Sequence, residues 1–272
     1  MTFINSLPPK WTIKLLLDTP GRINMLNERV VTLVGVKRLE SEAMFVSSEG
    51  GGTLRETAKV NFAGQERYWW LARKVAGVMR RVLLSELQPK KCTVDKPCID
   101  CEVCGLLGGL NTDNNQALFS RVKLQDLISV EPYEYDEKFR IRQPDDPNKG
   151  NPVPFQEVIV PPGTQFPFIV RLIKPSQYDL GAFIYANALA DGLGYGNYSK
   201  RRGNATTQWV AMFDGFAHVS AFDLLLSGNL EEALQTVISN PAGPVNPENT
   251  LKSDGLAAYV RNVTSSKERW VL

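Results

Sequence analysis

Four cysteines, Cys92, Cys98, Cys101 and Cys104, fall within thirteen residues, and the 272-residue chain has no others. Thiolates are soft ligands, and four of them complete a tetrahedron around zinc with no position left open for substrate. The spacing Cys-x5-Cys-x2-Cys-x2-Cys therefore predicts a structural ion. Its last three members also match the three-cysteine run of bacterial ferredoxins. The Cys-Pro that usually follows is missing here and the fourth cysteine lies upstream, and an iron–sulfur cluster stands as the alternative cofactor. Lys90, Lys91 and Lys96 flank the thiolates and offset their charge.

Other chemistry is sparsely provided for. His218 is the only histidine, set in Phe216-Ala-His-Val-Ser220, an apolar context that predicts a packed, hydrogen-bonded side chain. No Ser-His-Asp or Cys-His arrangement can be assembled, because the thiols are already spoken for. Asp136-Glu137 and Asp145-Asp146 fall in or beside a proline-rich stretch, and Asp126 is the one carboxylate on a predicted core strand. A two-metal nuclease needs several carboxylates on a scaffold. The expectation is a protein without catalytic residues, not an enzyme.

Binding residues are better represented. Net charge is only +2, but Thr53 to Lys91 carries nine basic residues against three acidic ones, among them Arg55, Lys59, Arg67 and Lys74. Such a zone reads either as a phosphate footprint or as a solvated helix face. Arg121 and Lys123 alternate with Val122 and Leu124 on a predicted strand. Further on, Gly192-Leu-Gly-Tyr-Gly196 leads into Tyr198, Lys200, Arg201 and Arg202, with Tyr195 inside the glycine run. Glycines permit close backbone approach, aromatics stack on bases and cations meet phosphates, which is how single-stranded nucleic acid is held. The glycine run is not GxGxxG and follows a helical stretch, which excludes a dinucleotide loop; it also reads as a mobile surface loop.

The elements that must position these groups follow from periodicity. Trp11–Leu17 and Val30–Val46 read as strands, with Val30-Val-Thr-Leu-Val-Gly-Val36 apolar on both faces. Gln65 to Leu87 reads as a helix: Tyr68, Leu71, Val75, Met79, Val82 and Leu83 share one half of the wheel, and Trp70 lies among the cations opposite. Phe119–Val130 is a strand, and Phe139–Gln143 pairs with Phe155–Val160 as a projecting hairpin with a polar tip. Phe166–Ile173 is a strand, Tyr178–Leu189 a helix, Thr207–Val219 extended and Leu230–Val237 helical. The Asn-, Pro- and Gly-rich tail beyond Pro241 is expected to be loosely held. Stripped of insertions, the order is that of an α+β, ferredoxin-like or RRM-like βαββαβ core. The expected organisation is one domain over 1–272, with a zinc-binding insertion at 88–118, the hairpin at 132–165 and the tail at 241–272.

Composition fits a globular chain, with 43% hydrophobic and 22% charged residues. No apolar run approaches the ~20 residues that span a bilayer, and the start lacks the regions of a signal peptide. A cytoplasmic chain with reduced or metal-bound thiols is expected, with no membrane partner.

Taken together, the four cysteines leading through Cys104-Gly-Leu-Leu-Gly108 into Phe119-Ser-Arg-Val-Lys-Leu-Gln-Asp126 resemble the RAMP-type backbone subunits of CRISPR effector (Cascade) complexes, most nearly the type I-D member. Leu54-Arg-Glu56, the long hairpin and Gly192-Leu-Gly-Tyr-Gly-Asn-Tyr-Ser-Lys-Arg-Arg202 also fit that layout; Lys-Arg-Arg replaces the Ser-Arg-Gly of many relatives. The resemblance covers Val30 to Phe222. It implies an RRM-like palm and a hairpin thumb, with copies polymerised as a homo-oligomeric filament along a guide RNA (crRNA). That guide would be presented to target DNA beside a large subunit and a RAMP-type cap subunit. Base pairing would read sequence, leaving shape and charge to the protein. An iron–sulfur protein or enzyme using the four-cysteine cluster and a stand-alone RNA-binding or processing protein are the competing readings.

Overall fold

The computed structural model describes residues 3–11, 28–46, 54–113, 115–142, 153–197, 199 and 202–265. Its centre is β1 (Val30–Leu39). Five strands lie side by side in the order β13 (Val245–Lys252), β12 (Ala205–Gly215), β1, β11 (Gln165–Ile173), β7 (Val122–Leu124), every neighbouring pair antiparallel. The residues of β1 from Val30 to Gly35 are buried because both faces are covered. Val31 and Leu33 enter the main core beneath α1 (Ala72–Leu87) and α3 (Gln177–Leu193), while Val34 enters a second cluster closed by α4 (Ala221–Leu226) and α5 (Leu230–Ser239). Strand alternation sends adjacent residues to opposite cores.

Helix α1 buries Val75, Met79, Val82 and Leu83, a stripe at helical spacing, and leaves Arg73, Lys74 and Arg81 exposed. It starts at Ala72, not at Gln65, because Gln65–Trp70 is strand β4. Tyr68 and Trp70 alternate inward along that strand, and Trp70 is fully buried, not displayed among cations. Phe119–Val130 is two strands instead of one: β7 joins the central sheet and β8 (Leu127–Pro132) pairs with β4. Asp126 lies at the corner between them. Its carboxylate accepts from the Ala72 amide at 2.8 Å and from Trp69 Nε1 at 3.1 Å, supplying α1 with the cap its own Leu71 lacks. β3 (Lys59–Phe62) completes the β3-β4-β8 sheet.

A third sheet holds β2 (Leu54–Glu56), β10 (Val153–Val158) and β9 (Glu137–Arg142), with β9 and β10 antiparallel and the hairpin tip outside the described residues. Trp11 closes on the Lys174 carbonyl at 2.9 Å, and the rest of the predicted Trp11–Leu17 strand also lies outside them. Helix α3 begins in a capping box formed by Ser176 and Asp179 and is buried along most of its length.

As far as Ser265, the last described residue, the tail is not loosely held. Strand β13 pairs with β12, and α6 (Ser253–Ser265) plants Leu256 and Val263 in the main core. His218, expected to be packed, is exposed, with Phe216 edge-on at 5.4 Å. No helix among the described residues is long and apolar enough to cross a membrane.

Candidate metal centre and nucleic-acid interface

The chain leaves α1 through Gln88 in the left-handed region and reaches Cys92 after one tight turn. Cys101 precedes the six-residue helix α2 (Glu102–Leu107), which carries Cys104, and the short hairpin of β5 (Gly109–Asn111) and β6 (Gln116–Leu118) follows. The four Sγ atoms lie within 4.8 Å of one another, and Cys92 and Cys104 are 3.6 Å apart. Sulfurs bound at ~2.3 Å around one tetrahedral ion would be about 3.8 Å apart. The amides of Cys98 and Asp100 point at Cys92 Sγ (3.5 Å) and Cys98 Sγ (3.4 Å), the usual way of steadying thiolates. Non-glycine Lys91 and Ile99 take positive φ (67° and 59°), a backbone cost accepted where the thiols are turned inward. Arg80 reaches from α1 to the carbonyls of Leu107 (3.1 Å) and Gly108, tying the knot to the helix.

The hydrogen bond from Cys101 brings Cys104 down to about 5 against the opposing effect of burial. That bond, and then burial, pushes Cys101 well up, while burial chiefly raises Cys92 to about 11. Burial thus opposes negative sulfur at Cys92 and Cys101, which a bound cation would offset, and the four cysteines could hold a metal ion.

The predicted RNA-binding residues divide into distinct groups. Arg121 is in the interior: its guanidinium forks onto Asp179 (2.7 and 2.6 Å) and also donates to the carbonyls of Gly105 and Lys174. Tyr195 is fully buried, its hydroxyl on Asp191 at 2.8 Å and its ring edge-on to Trp70 at 4.7 Å. Trp70 in turn stacks on Phe45 at 4.4 Å. Tyr195, which reads in sequence as a platform for bases, and Trp70, which reads as lying among cations, therefore pack into one internal cluster. Arg202 is bidentate to Glu157, both distances 2.9 Å, and is only 7% exposed. These three assignments are corrected for one reason: each side chain already has its partners inside the fold.

Others face outward. Lys74 on α1 and Lys123 on β7 are exposed. Lys59 is half-exposed between Glu56 and Glu66, 3.2 Å from each, and lies over the Tyr133 ring. Arg67 is half-buried, donating to the Ser129 carbonyl (3.1 Å) and that of Val130. Arg55 lies on β2. Tyr198, Lys200 and Arg201 lie outside the described residues. The structure nonetheless brings the basic helix and the glycine segment together. A groove of about 550 Å³ runs between Val78, Arg81 and Ser85 on one bank and Leu193, Ser199 and Asn204 on the other.

Sequence reasoning passed over Lys37. Fully buried on β1, its ammonium donates to Asp191, to Asn187 Oδ1 (2.8 Å), to Thr207 Oγ1 (2.8 Å) and to the Tyr195 hydroxyl (3.3 Å). The signal was available, because Lys37 shares strand parity with Val31, Leu33 and Leu39 and so faces the core. Burial lowers its pKa, and Asp191 acts against that.

No family model and no curated protein sequence matches the chain. Among solved structures it is similar to Csc2 of Thermofilum pendens, with TM-score 0.54 and 16% identity, covering 94% of this chain and 93% of that one. A chain of the type III-B Cmr-beta complex bound to cognate target RNA aligns with TM-score 0.46 and 14% identity over 66% of this chain and 59% of that one. The first likeness establishes the fold. This is a mixed α/β chain with antiparallel sheets, folded as Csc2 is.

Proposed function

We propose that this chain is an RNA-binding subunit of a CRISPR effector complex, specifically a RAMP-type, I-D-like backbone protein. Several copies would line up along one guide RNA and present it to target DNA beside the other subunits, without catalysis of their own. The observation that carries the reading is the fold shared with Csc2 over nearly the whole of both chains. The cysteine run leading into Phe119–Asp126, Leu54-Arg-Glu56, the long hairpin and the glycine segment support the same reading independently of that fold. In this reading the central sheet is the ferredoxin-like palm: β12, β1, β11 and β7 lie in the order fourth, first, third, second of a βαββαβ path. The β9–β10 hairpin is the thumb, and residues 88–118 form the metal-binding insertion.

The guide would run past Lys74 and Arg81 and along the groove between α1 and the glycine segment, with Lys123 meeting phosphate at the other face of the edge strand β7; Lys200 and Arg201 are further candidates for phosphate contact. The ion would be zinc. Sulfurs this close suit one ion, whereas a cluster of several irons would require them to stand further apart. Its place is structural, fixing the insertion to α1.

The test is direct. Purified under reducing conditions, the chain is expected to carry about one zinc, to be colourless, and to bind fluorescein-labelled single-stranded RNA with strong salt dependence. The triple substitution Lys74→Ala, Arg81→Ala and Lys123→Ala should weaken binding roughly 10- to 100-fold, since each phosphate contact removed lowers affinity and flattens the salt slope. Wild-type binding in the triple variant would overturn the assigned path, and a brown, iron-containing protein would favour the iron–sulfur alternative.

A further inference from the structure

The hairpin turns its charged side inward. Phe139 and Ile141 on β9 are exposed (68% and 62%), whereas Lys138 and Arg140, of opposite parity, reach back to Glu42. Glu42 follows β1 and accepts from three cations on two elements: Lys138 (3.2 Å) and Arg140 of the hairpin, and Arg202 (3.3 Å) at the end of the glycine segment. Beneath it, Glu157 on β10 is 1% exposed; it holds Arg202 in a fork and lies 3.5 Å from Arg140. One carboxylate pair thus serves both elements.

The backbone repeats the pattern. The Glu42 carbonyl accepts the Gly203 amide (2.9 Å) and the Met44 carbonyl accepts the Asn197 amide (2.9 Å) on the glycine-segment side. On the hairpin side, Ala43 exchanges both bonds with Val160 at 3.0 and 2.8 Å. Gly196 and Gly203 have φ of 82° and 83°, and a Cβ on either would strike a carbonyl, of Met44 and Tyr195 respectively, so this close approach requires glycine. Burial alone would raise the Glu42 carboxyl, but bonds from Lys138, Arg140 and Arg202 outweigh it and hold the carboxyl below its ordinary range.

We infer that Glu42, backed by Glu157, is a positioning residue that locks the hairpin to the glycine segment. The two elements that would bracket the RNA then keep one fixed relation and loosen or tighten together. The coupling rests on this geometry alone, and its consequence for RNA rests on the function proposed above. A charge-assisted contact shared by three cations loses much of its strength when the carboxylate becomes an amide.

The experiment is hydrogen exchange on the full chain, wild type against Glu42→Gln and against Arg140→Gln, with RNA binding measured alongside. Arg140→Gln alters only the hairpin, yet faster exchange is expected at Tyr195, Asn197 and Gly203 as well as along β9 and β10, with β11 unchanged. The Glu42→Gln/Arg140→Gln double variant should add little to either single one. RNA affinity should fall roughly tenfold in Glu42→Gln at unchanged salt slope, because position is lost and phosphate contacts are not. Exchange that quickens in the hairpin alone, or additive effects in the double variant, would overturn the lock. A wild-type chain that binds no RNA would overturn the proposed function and leave the lock to be decided by exchange.

Discussion

Lys37 has no solvent to fall back on, so its charge is kept by Asp191, by the three neutral oxygens around it and by the ring of Phe168, 4.6 Å away. Removing one partner of such a pair costs more than the pair itself is worth, because the other charge is left stranded. Lys37→Met is therefore expected to lower unfolding free energy in urea by about 3–5 kcal/mol, while Lys37→Met/Asp191→Leu recovers most of the loss. A single substitution costing under about 1 kcal/mol, or a double variant no better than the single, would show that the ammonium is not held this way. Partners inside the fold also separate the site residues that are legible in the sequence from those that are not. Lys74 and Lys123 face solvent as their parity and helix angle imply. Arg121 and Arg202 share that outward pattern in sequence, but their carboxylates, Asp179 and Glu157, lie 58 and 45 residues away along the chain. Nothing local announces a partner that only the fold brings near.

Elements whose order depends on local pattern were the more legible ones. β1, β11, the β9–β10 pairing and α3 could all be read from periodicity and turn residues, because propensity and burial agree there. The errors fall where tertiary contacts outweigh composition. Gln65–Trp70 continues the apolar angle of α1, yet pairing with β3 and β8 makes it a strand. β13 contains Pro247 and two asparagines, a poor strand by composition, but it sits at the sheet edge where a proline is tolerated. The metal knot is a third case, legible in its ligands and not in its support. Few apolar side chains besides Ile99, Val103 and Leu106 are buried between Cys92 and Asn111, so in the proposed reading a bound ion would supply much of that element's order. Chelation under reducing conditions, or Cys104→Ser, is expected to quicken amide exchange at Cys98 and Asp100. Each ~1 kcal/mol of binding energy lost should lower the melting temperature by about 2–4 °C. An unchanged melt and unchanged exchange would exclude a structural ion.

For the whole molecule, the balance of charge decides how it can hold a polyanion. Most of the chain's basic and acidic residues offset one another, leaving +2, and three candidate contacts are consumed or buried internally. If roughly three to five cations per chain remain to meet phosphate, the log–log salt slope for a single copy should be only about −2 to −4. One copy alone would then hold RNA weakly at physiological salt. In the proposed reading, tight holding would come from several copies on one strand, each converting the next contact into a local one. Native mass spectrometry on single-stranded RNAs of increasing length tests this. A backbone subunit gives a ladder in which each added stretch of RNA admits one more chain, with longer RNAs retained to higher salt. A stand-alone RNA-binding protein gives one chain per RNA whatever its length, and that result would remove the filament from the reading while leaving the fold and the metal centre as they are.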